Sequence, residues 1–299
     1  MTGIDDPAAT AGVVDEPRWQ GDPSRGRHDP PTGSRSAWAD ELAFAIATAM
    51  AAGVVLMDRY ERLERIDHKG ARDVVTEADH LSEELVIAAI RARFPGDAIL
   101  AEESGAHAAH ESRPVNGRTW VIDPLDGTVN YANGLPVFCV SIGFVVDGRP
   151  MAGAVLDPTR GETFAATADG PATLNGRVIR ASGKEKLSDY VISLSLAGRS
   201  VASRARALRK DIRIARSMGS ASLALAYVGN GRFDAFVQQS GLSAWDVAAA
   251  GLVAERAGAT VTAFDGAPWY DPGRAPRAAG TIAAPSAFHD RILALANGR

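Results

Sequence analysis

Cysteine is almost absent from this 299-residue chain. Cys139 is the only one, so no disulfide can close within the chain and a disulfide scaffold is excluded. Lysine is scarce too: only Lys69, Lys184, Lys186 and Lys210 stand among 32 basic residues, against 36 acids, for a formal charge of −4. Such a balance lacks the basic surface that nucleic acid demands and predicts no nucleic-acid partner. There is no Gly-x-x-x-x-Gly-Lys-[Ser/Thr] motif, which leaves nucleotide hydrolysis by that route unsupported. No segment repeats at a fixed period, which excludes a solenoid. With 46% hydrophobic and 23% charged residues, the composition predicts a soluble, cytoplasmic protein of a reducing compartment.

Long apolar runs are also missing. The stretch that most resembles a membrane element, Leu42 to Met57, has sixteen uncharged residues, fewer than a span needs. It is rich in Ala, and Asp40 and Glu41 precede it where a signal peptide wants positive charge. A core helix is expected instead, capped near Ser36, with Leu42, Ile46, Ala49, Met50, Gly53 and Met57 on one face and no membrane contact.

What is present divides at about residue 36. Residues 1–36 hold five of the 16 prolines, five glycines and little aliphatic content, which predicts a disordered tail. Residues 37–299 are expected to form one domain, with sub-halves of about 37–185 and 186–299. Its pattern predicts a helix from Leu81 to Phe94, stopped by Pro95-Gly96, and buried strands at 98–101 and 119–122. A hairpin follows, 137–146 with 151–156, turning at Asp147-Gly148 and continued by 162–167. Thereafter strands at 191–194, 212–214, 233–237, and near Thr260 and Thr281 alternate with helices at 200–209, 220–228, 244–257 and 286–296. That order implies an α+β first half and an α/β second half, stacked in layers.

The acids carry the chemical information. Asp123 and Asp126 lie in Trp-Val-Ile-Asp-Pro-Leu-Asp-Gly-Thr, directly after a buried strand, where Gly127 permits a tight turn that converges both carboxylates beside Thr128. Taken alone, Asp-Pro-x-Asp-Gly equally describes a solvated turn. Glu102 and Glu103 end another strand, Asp79 begins a helix where its charge would complement the dipole, and Asp246 fronts an apolar helix where it would serve as a cap. Four acidic clusters at the ends of apolar elements point to one site. Convergent carboxylates repel unless cations neutralise them, and an oxygen-only ligand set selects hard ions such as Mg²⁺ or Mn²⁺.

The run from Trp120 to Tyr131, with Glu102-Glu103-Ser104 upstream and Trp245-Asp246-Val247-Ala248-Ala249-Ala250-Gly251 downstream, resembles the inositol monophosphatase family. Val75-Thr76-Glu77-Ala78-Asp79 matches that family's first motif, and the likeness runs from about Trp38 to the C-terminal helix. The resemblance implies a layered αβαβα sandwich of the type shared with fructose-1,6-bisphosphatase. It implies a Mg²⁺-dependent, lithium-sensitive phosphomonoesterase, usually a homodimer, with two or three Mg²⁺ per site and Mn²⁺ as a possible substitute. Position by position, Glu102, Asp123 and the Leu125 carbonyl would hold the first ion. Asp123, Asp126 and Asp246 would hold the second, and Glu103 would not be a principal ligand. Asp79 and Thr128, helped by Glu102, would activate the attacking water, and the Gly127 and Thr128 amides would bind phosphate oxygens.

On substrate the residues are less decisive. The family's sugar-binding segment corresponds to Arg216-Ser217-Met218-Gly219-Ser220-Ala221, which offers Gly219, Ser220 and Ala221 as contacts alongside Asp246. Seven residues before Asp246, where inositol-specific relatives carry glutamate, stands Gln239, an amide that donates where a carboxylate only accepts. The expected substrate is a small phosphorylated polyol or alcohol, inositol phosphate first. Histidinol phosphate, fructose 1,6-bisphosphate and 3′-phosphoadenosine 5′-phosphate are alternatives on the same metal core. A non-catalytic regulatory protein, for example one associated with RNA polymerase, is the alternative of a different class. His107 and His110 are expected in a solvated loop, Cys139 in the core, and the basic run Arg199 to Arg213 on a solvated helix face.

Overall fold

The structure is a computed structural model, described here for residues 36–63, 66–70, 73–104, 117–197, 200–271, 273–275 and 277–298. The tail up to residue 35 and the His107/His110 segment lie outside the described residues. Along the chain run α1 (Ala39–Arg59), β1 (Ile66–Gly70), β2 (Asp73–Thr76), α2 (Glu77–Arg93), β3 (Ala98–Ala101), β4 (Arg118–Asp126) and the short α3 (Thr128–Ala132). Then come β5 (Cys139–Val146), β6 (Arg149–Asp157), β7 (Glu162–Thr167), β8 (Thr173–Leu174) and β9 (Arg177–Val178). The remainder is β10 (Val191–Ser195), α4 (Val201–Asp211), β11 (Ile214–Arg216), α5 (Ala221–Gly229), β12 (Ala235–Leu242), α6 (Ala244–Arg256), β13 (Ala259–Ala263), β14 (Ala279–Pro285) and α7 (Ser286–Ala296).

Two large sheets organise these elements. β3 to β9 form a seven-stranded sheet in sequence order, antiparallel except for the β3–β4 pair. The five-stranded sheet has the order β11-β10-β12-β14-β13, with β10 parallel to both its neighbours and the β12–β14 and β14–β13 pairs antiparallel. The expected progression from α+β to α/β is thus observed. Its hairpin turn at Asp147-Gly148 has positive φ at both residues, as a two-residue hairpin prefers.

Strand alternation sorts the side chains into three large cores and a small cluster of Val121, Val145 and Ala248. Val140, Ile142 and Phe144 of β5 face α1 and α2, whereas Cys139 faces α5 and α6, which are sandwiched between the two sheets. α4 and α7 cover the far face of the five-stranded sheet around Ile192, Val237 and Ile282. The result is a helix–sheet–helix–sheet–helix stack, as the sequence resemblance implied. Trp120 is fully buried in the first core, and its ring N–H is satisfied by Asp97 at 3.0 Å.

α1 is long and apolar enough, by length and composition, to cross a membrane, but its buried residues Ala45, Ala49, Ala52 and Leu56 pack in the core beneath the sheet. The inward face differs from the one expected. Met50 and Met57 are exposed, and the small residues take their place. Close approach is the reason: a Cβ on Gly53 would lie 2.5 Å from Leu156 Cδ2, so only a face of Ala and Gly lets the helix lie this near β6.

α6 is seated in the same way, with consequences for the site. Gly143 of β5 and Gly153 of β6 are direct cross-strand partners. A Cβ on Gly143 would meet Ala248 Cβ at 2.7 Å, and one on Gly153 would meet Ala249 Cα at 2.7 Å. The paired glycines form a flat seat for the first turns of α6. Gly153→Val should therefore push α6 off the sheet and cost about 1–3 kcal/mol in urea unfolding. An unchanged midpoint and slope would show that the seat is dispensable.

Candidate active site

The candidate acids sit where strands and helices end at one edge of the layers. β4 ends in Asp123-Pro124-Leu125-Asp126, with its pairing to β5 irregular between the two acids. Beyond it, Gly127 turns with φ of 95°, and a Cβ there would come within 2.9 Å of the Val137 carbonyl. Only glycine fits that turn. Thr128 then begins α3.

Two of the acids close capping boxes, reciprocal bonds that satisfy orphan N–H groups at a helix start. Thr76 caps α2, and Asp79 Oδ2 accepts from the Thr76 N–H at 2.8 Å and its hydroxyl at 2.6 Å. Ser243 caps α6, and Asp246 Oδ2 accepts from the Ser243 N–H at 2.5 Å. Thr-Glu-Ala-Asp and Ser-Ala-Trp-Asp are the same local device. The other oxygen of Asp79 accepts from the Thr128 hydroxyl, and Asp246 contributes a carboxylate oxygen to the acid cluster.

Asp126 is held differently, across the interlayer. Its Oδ2 accepts from the Ser220 hydroxyl at 2.6 Å and the Ser222 amide at 2.7 Å, and its Oδ1 from the Ala221 amide at 3.2 Å. It therefore occupies the N-terminus of α5, where unpaired N–H groups and the helix dipole favour an anion. Asp123 is the least supported, with Oδ1 accepting only from the Leu125 amide at 3.1 Å among the described bonds.

Carboxylate oxygens of Asp123, Asp126 and Asp246 lie within 4.8 Å of one another. Glu102 lies at the end of β3, its N–H bonded to the Ile122 carbonyl at 3.2 Å, outside that tight cluster. Its charge nevertheless reaches both Asp123 and Asp246. Burial foremost, then the charges of Glu102, Asp126, Asp246 and Asp79, drive the Asp123 carboxyl well above its usual range. Burial and the neighbouring Asp126 do the same to Asp246. Burial also raises Asp126, against the opposing bonds from Ser220, Ala221 and Ser222. A buried, oxygen-only set that resists carrying its own charge fits a hard divalent cation.

Thr128 links the outlying acid to this centre. Its Oγ1 lies 3.0 Å from Asp79 Oδ1 and 3.0 Å from the Leu125 carbonyl, so its single proton has two acceptors. A cavity of about 280 Å³ opens beside the cluster, lined in part by Asp126, Asp246, Gly219, Ser220 and Ala221. Ser220 and Ala221 spend their polar hydrogens on Asp126, however. Gln239 does not line this cavity: its Oε1 accepts from the Ala197 amide at 3.1 Å and from Arg204 at 2.9 Å, while its neighbour Gln238 lines the wall.

Several residues that hold the site carry no motif of their own. Buried Glu83 on α2 accepts from the Glu103 amide at 2.8 Å and the Ser104 amide at 2.7 Å, which fixes the turn after β3. Ser82 donates to the Pro124 carbonyl at 2.9 Å, which ties α2 to the Asp123–Asp126 segment. Ser222 donates its hydroxyl to the Asp246 carbonyl at 3.0 Å. An acid or hydroxyl on the inward face of an amphipathic helix is the only sequence signal they carry. Cys139 is buried as expected, 3.6 Å from Asp126 Oδ2, and burial pushes its thiol up.

Layered αβαβα sandwich and clustered acids together define a family. The model of the inositol monophosphatase family matches residues 38–298, and the chain belongs to that family. It is 39% identical over 235 residues to the Nus factor SuhB of Pseudomonas aeruginosa, covering 75% of this chain and 86% of that protein. It is 35% identical over 232 residues to a fructose-1,6-bisphosphatase/inositol-1-monophosphatase of Thermotoga maritima, covering 76% and 86%. The solved structure of a Thermotoga maritima IMPase superposes with a TM-score of 0.76 at 32% identity, over 87% of this chain and 97% of that one.

The raised carboxyl of Asp123 has a stability consequence of definite sign. As pH rises from about 4, the unfolded chain releases this proton first, so the folded state is increasingly penalised until the pH passes its own raised pKa, above which the penalty is constant. In EDTA at pH 8, Asp123→Asn should melt a few degrees above wild type, at roughly 2–4 °C per kcal/mol, with the gap closing toward pH 4. Added Mg²⁺ should raise the wild-type Tm much more than the variant's. A variant that melts below wild type in EDTA at pH 8 would contradict this electrostatic picture.

Proposed function

We propose that this protein is a Mg²⁺-dependent phosphomonoesterase that hydrolyses a small phosphorylated polyol or alcohol, inositol monophosphate first among the candidates. The observation that carries this reading is the three-carboxylate cluster of Asp123, Asp126 and Asp246, flanked by Glu102 and by the Asp79–Thr128 pair. Glu102, Asp123 and the Leu125 carbonyl would hold one cation, and Asp123, Asp126 and Asp246 a second. Bound divalent cations supply Lewis acidity, which lowers the pKa of the attacking water and offsets charge on the leaving oxygen.

The chain's own groups would do the rest. Thr128 Oγ1, with its hydrogen donated to Asp79 Oδ1, presents a lone pair that can accept from water and aim it at phosphorus. As the new P–O bond forms, the water proton passes to Thr128 Oγ1, whose own proton moves to Asp79 Oδ1. The bond from phosphorus to the alcohol oxygen breaks, that oxygen takes up a proton from solvent while Asp79 returns its own to solvent, and one water yields alcohol and inorganic phosphate. The amides of Gly127 and Thr128 would steady the phosphoryl oxygens. Burial around Asp123 keeps bulk water from competing with the one positioned molecule.

A second reading is a non-catalytic regulatory protein on the same fold. It draws on the name Nus factor carried by the Pseudomonas aeruginosa relative. Loss of a metal-binding acid would be its mark, and each acid of the set is retained here. The hydrolytic reading therefore leads. A phosphate-release panel with Mg²⁺ over inositol 1-phosphate, histidinol phosphate, fructose 1,6-bisphosphate and 3′-phosphoadenosine 5′-phosphate separates the two. Asp123→Asn should lower the best rate by about a thousandfold or more, roughly 4 kcal/mol of barrier, with circular dichroism unchanged. Full activity in that variant would remove the two-metal account, and no release by wild type would favour the regulatory reading.

A further inference from the structure

Beside the acid cluster, one wall of the 280 Å³ cavity comes from the five-stranded sheet. β10 and β12 are parallel neighbours in the register Ser193 with Phe236 and Ser195 with Gln238. Strand alternation puts these four side chains on one face, and all four line the cavity together with Asp126 and Asp246. Phe236 is the buried floor, and the other three are polar.

Their hydrogen-bonding capacity is largely unspent. Ser193 is only 6% exposed, yet its hydroxyl bonds to no described residue. Ser195 likewise makes no side-chain bond among the described residues. Gln238 donates one amide hydrogen to the Ser240 carbonyl at 3.2 Å, which leaves its carbonyl oxygen and second hydrogen toward other partners. The Ser193 hydroxyl is not sealed in the interior but opens onto the cavity, and Ser195 is exposed beside it. Here the unspent groups form a row on a cavity wall. Hydroxyls and a primary amide both donate and accept, which is the capacity that alcohol hydroxyls on a ligand require.

Charge narrows the ligand further. Among the described residues lining this cavity there is no Lys, Arg or His, and its only ionisable groups are Asp126 and Asp246. A second phosphate laid against the serines would meet no cation among the described lining residues. At 280 Å³ the space is at the small end of ligand pockets, which run from roughly 300 to 1,000 Å³.

We infer that Ser193, Ser195 and Gln238 form the wall that recognises the alcohol half of the substrate, and that it selects an uncharged, hydroxyl-bearing group. This rests on the phosphatase reading above and assigns its specificity to the cavity-facing Gln238 rather than to Gln239. Gln239 becomes a positioning residue: its carbonyl oxygen is held by Arg204, which also donates to the Ala197 carbonyl at 2.8 Å and the Ala296 carbonyl at 3.1 Å.

The test uses the full chain with Mg²⁺ and two substrates, inositol 1-phosphate and p-nitrophenyl phosphate, the latter with no alcohol hydroxyls. Ser193→Ala and Gln238→Ala should each lower the ratio of kcat/KM, inositol 1-phosphate over aryl phosphate, by about tenfold, mainly through KM. Wild type should also prefer inositol 1-phosphate to fructose 1,6-bisphosphate. An unchanged ratio in both variants of an active enzyme would overturn the wall assignment and leave the phosphatase reading standing. Release of phosphate from neither substrate by wild type would overturn both.

Discussion

Mutual repulsion among buried carboxylates is the constraint on which this structure turns. Asp123, Asp126 and Asp246 bring oxygens within 4.8 Å, with Glu102 and Asp79 close enough to feel the same field. Such a cluster opposes folding unless positive charge meets it. Part of that charge is built into the fold. Asp79 lies in the first turn of α2, Asp246 in the first turn of α6, and Asp126 against the first amides of α5. Three helix N-termini thus converge on one site, each with partial positive charge and unpaired N–H groups. The carboxyls of Asp126 and Asp246 remain raised despite this, so the helices position these acids without neutralising them. A cation bound at the cluster would complete the balance. The formal charge of −4 therefore overstates the negative charge of the loaded protein.

The layers follow from the need to aim those helices. α5 and α6 lie between two sheets and are buried along most of their length, with apolar residues and alanines on nearly every face. The Gly143–Gly153 pair lets α6 approach β5 and β6, and β5 is paired with β4, which carries Asp123 and Asp126. Distance from Asp246 to the other two acids is therefore fixed by the packing of glycine and alanine far more than by the acids themselves. Substituting the seat and substituting a carboxylate are expected to act on the same site by different routes, one geometric and one electrostatic.

Local chemistry explains why much of this was legible in the sequence. Buried runs ending in acids, Pro95-Gly96 after α2 and Asp147-Gly148 in the hairpin all act over a few residues, and the corresponding elements appear where expected. The β1–β2 hairpin was not anticipated, because its strands are short and interrupted by charge. On α1 the helix was legible but its inward face was not, since close approach to Leu156 favours Ala over the larger Met50 and Met57. Glu83, Ser82 and Ser222 support the site through bonds spanning 20 to 42 residues, which no local pattern encodes. Gln238 and Gln239 show the limit most sharply. One residue of register decides which amide meets the cavity, and β12 is irregular against β14 between Gln238 and Leu242.

That register also separates reactivity from selectivity. The groups proposed to act on phosphorus come from α2, β3, β4, α3 and the start of α6, held by capping boxes and backbone turns that tolerate little change. Ser193 and Gln238 come from within strands and Ser195 from the end of one, where a side chain facing the cavity can be replaced without disturbing the ladder. A family built this way can keep its carboxylates while its wall residues diverge. Relatives at 35–39% identity that bear names as different as Nus factor and bisphosphatase are consistent with that division. The wall is the part in which this chain's own substrate preference should be sought, because the role proposed for the acids concerns only the phosphoryl group.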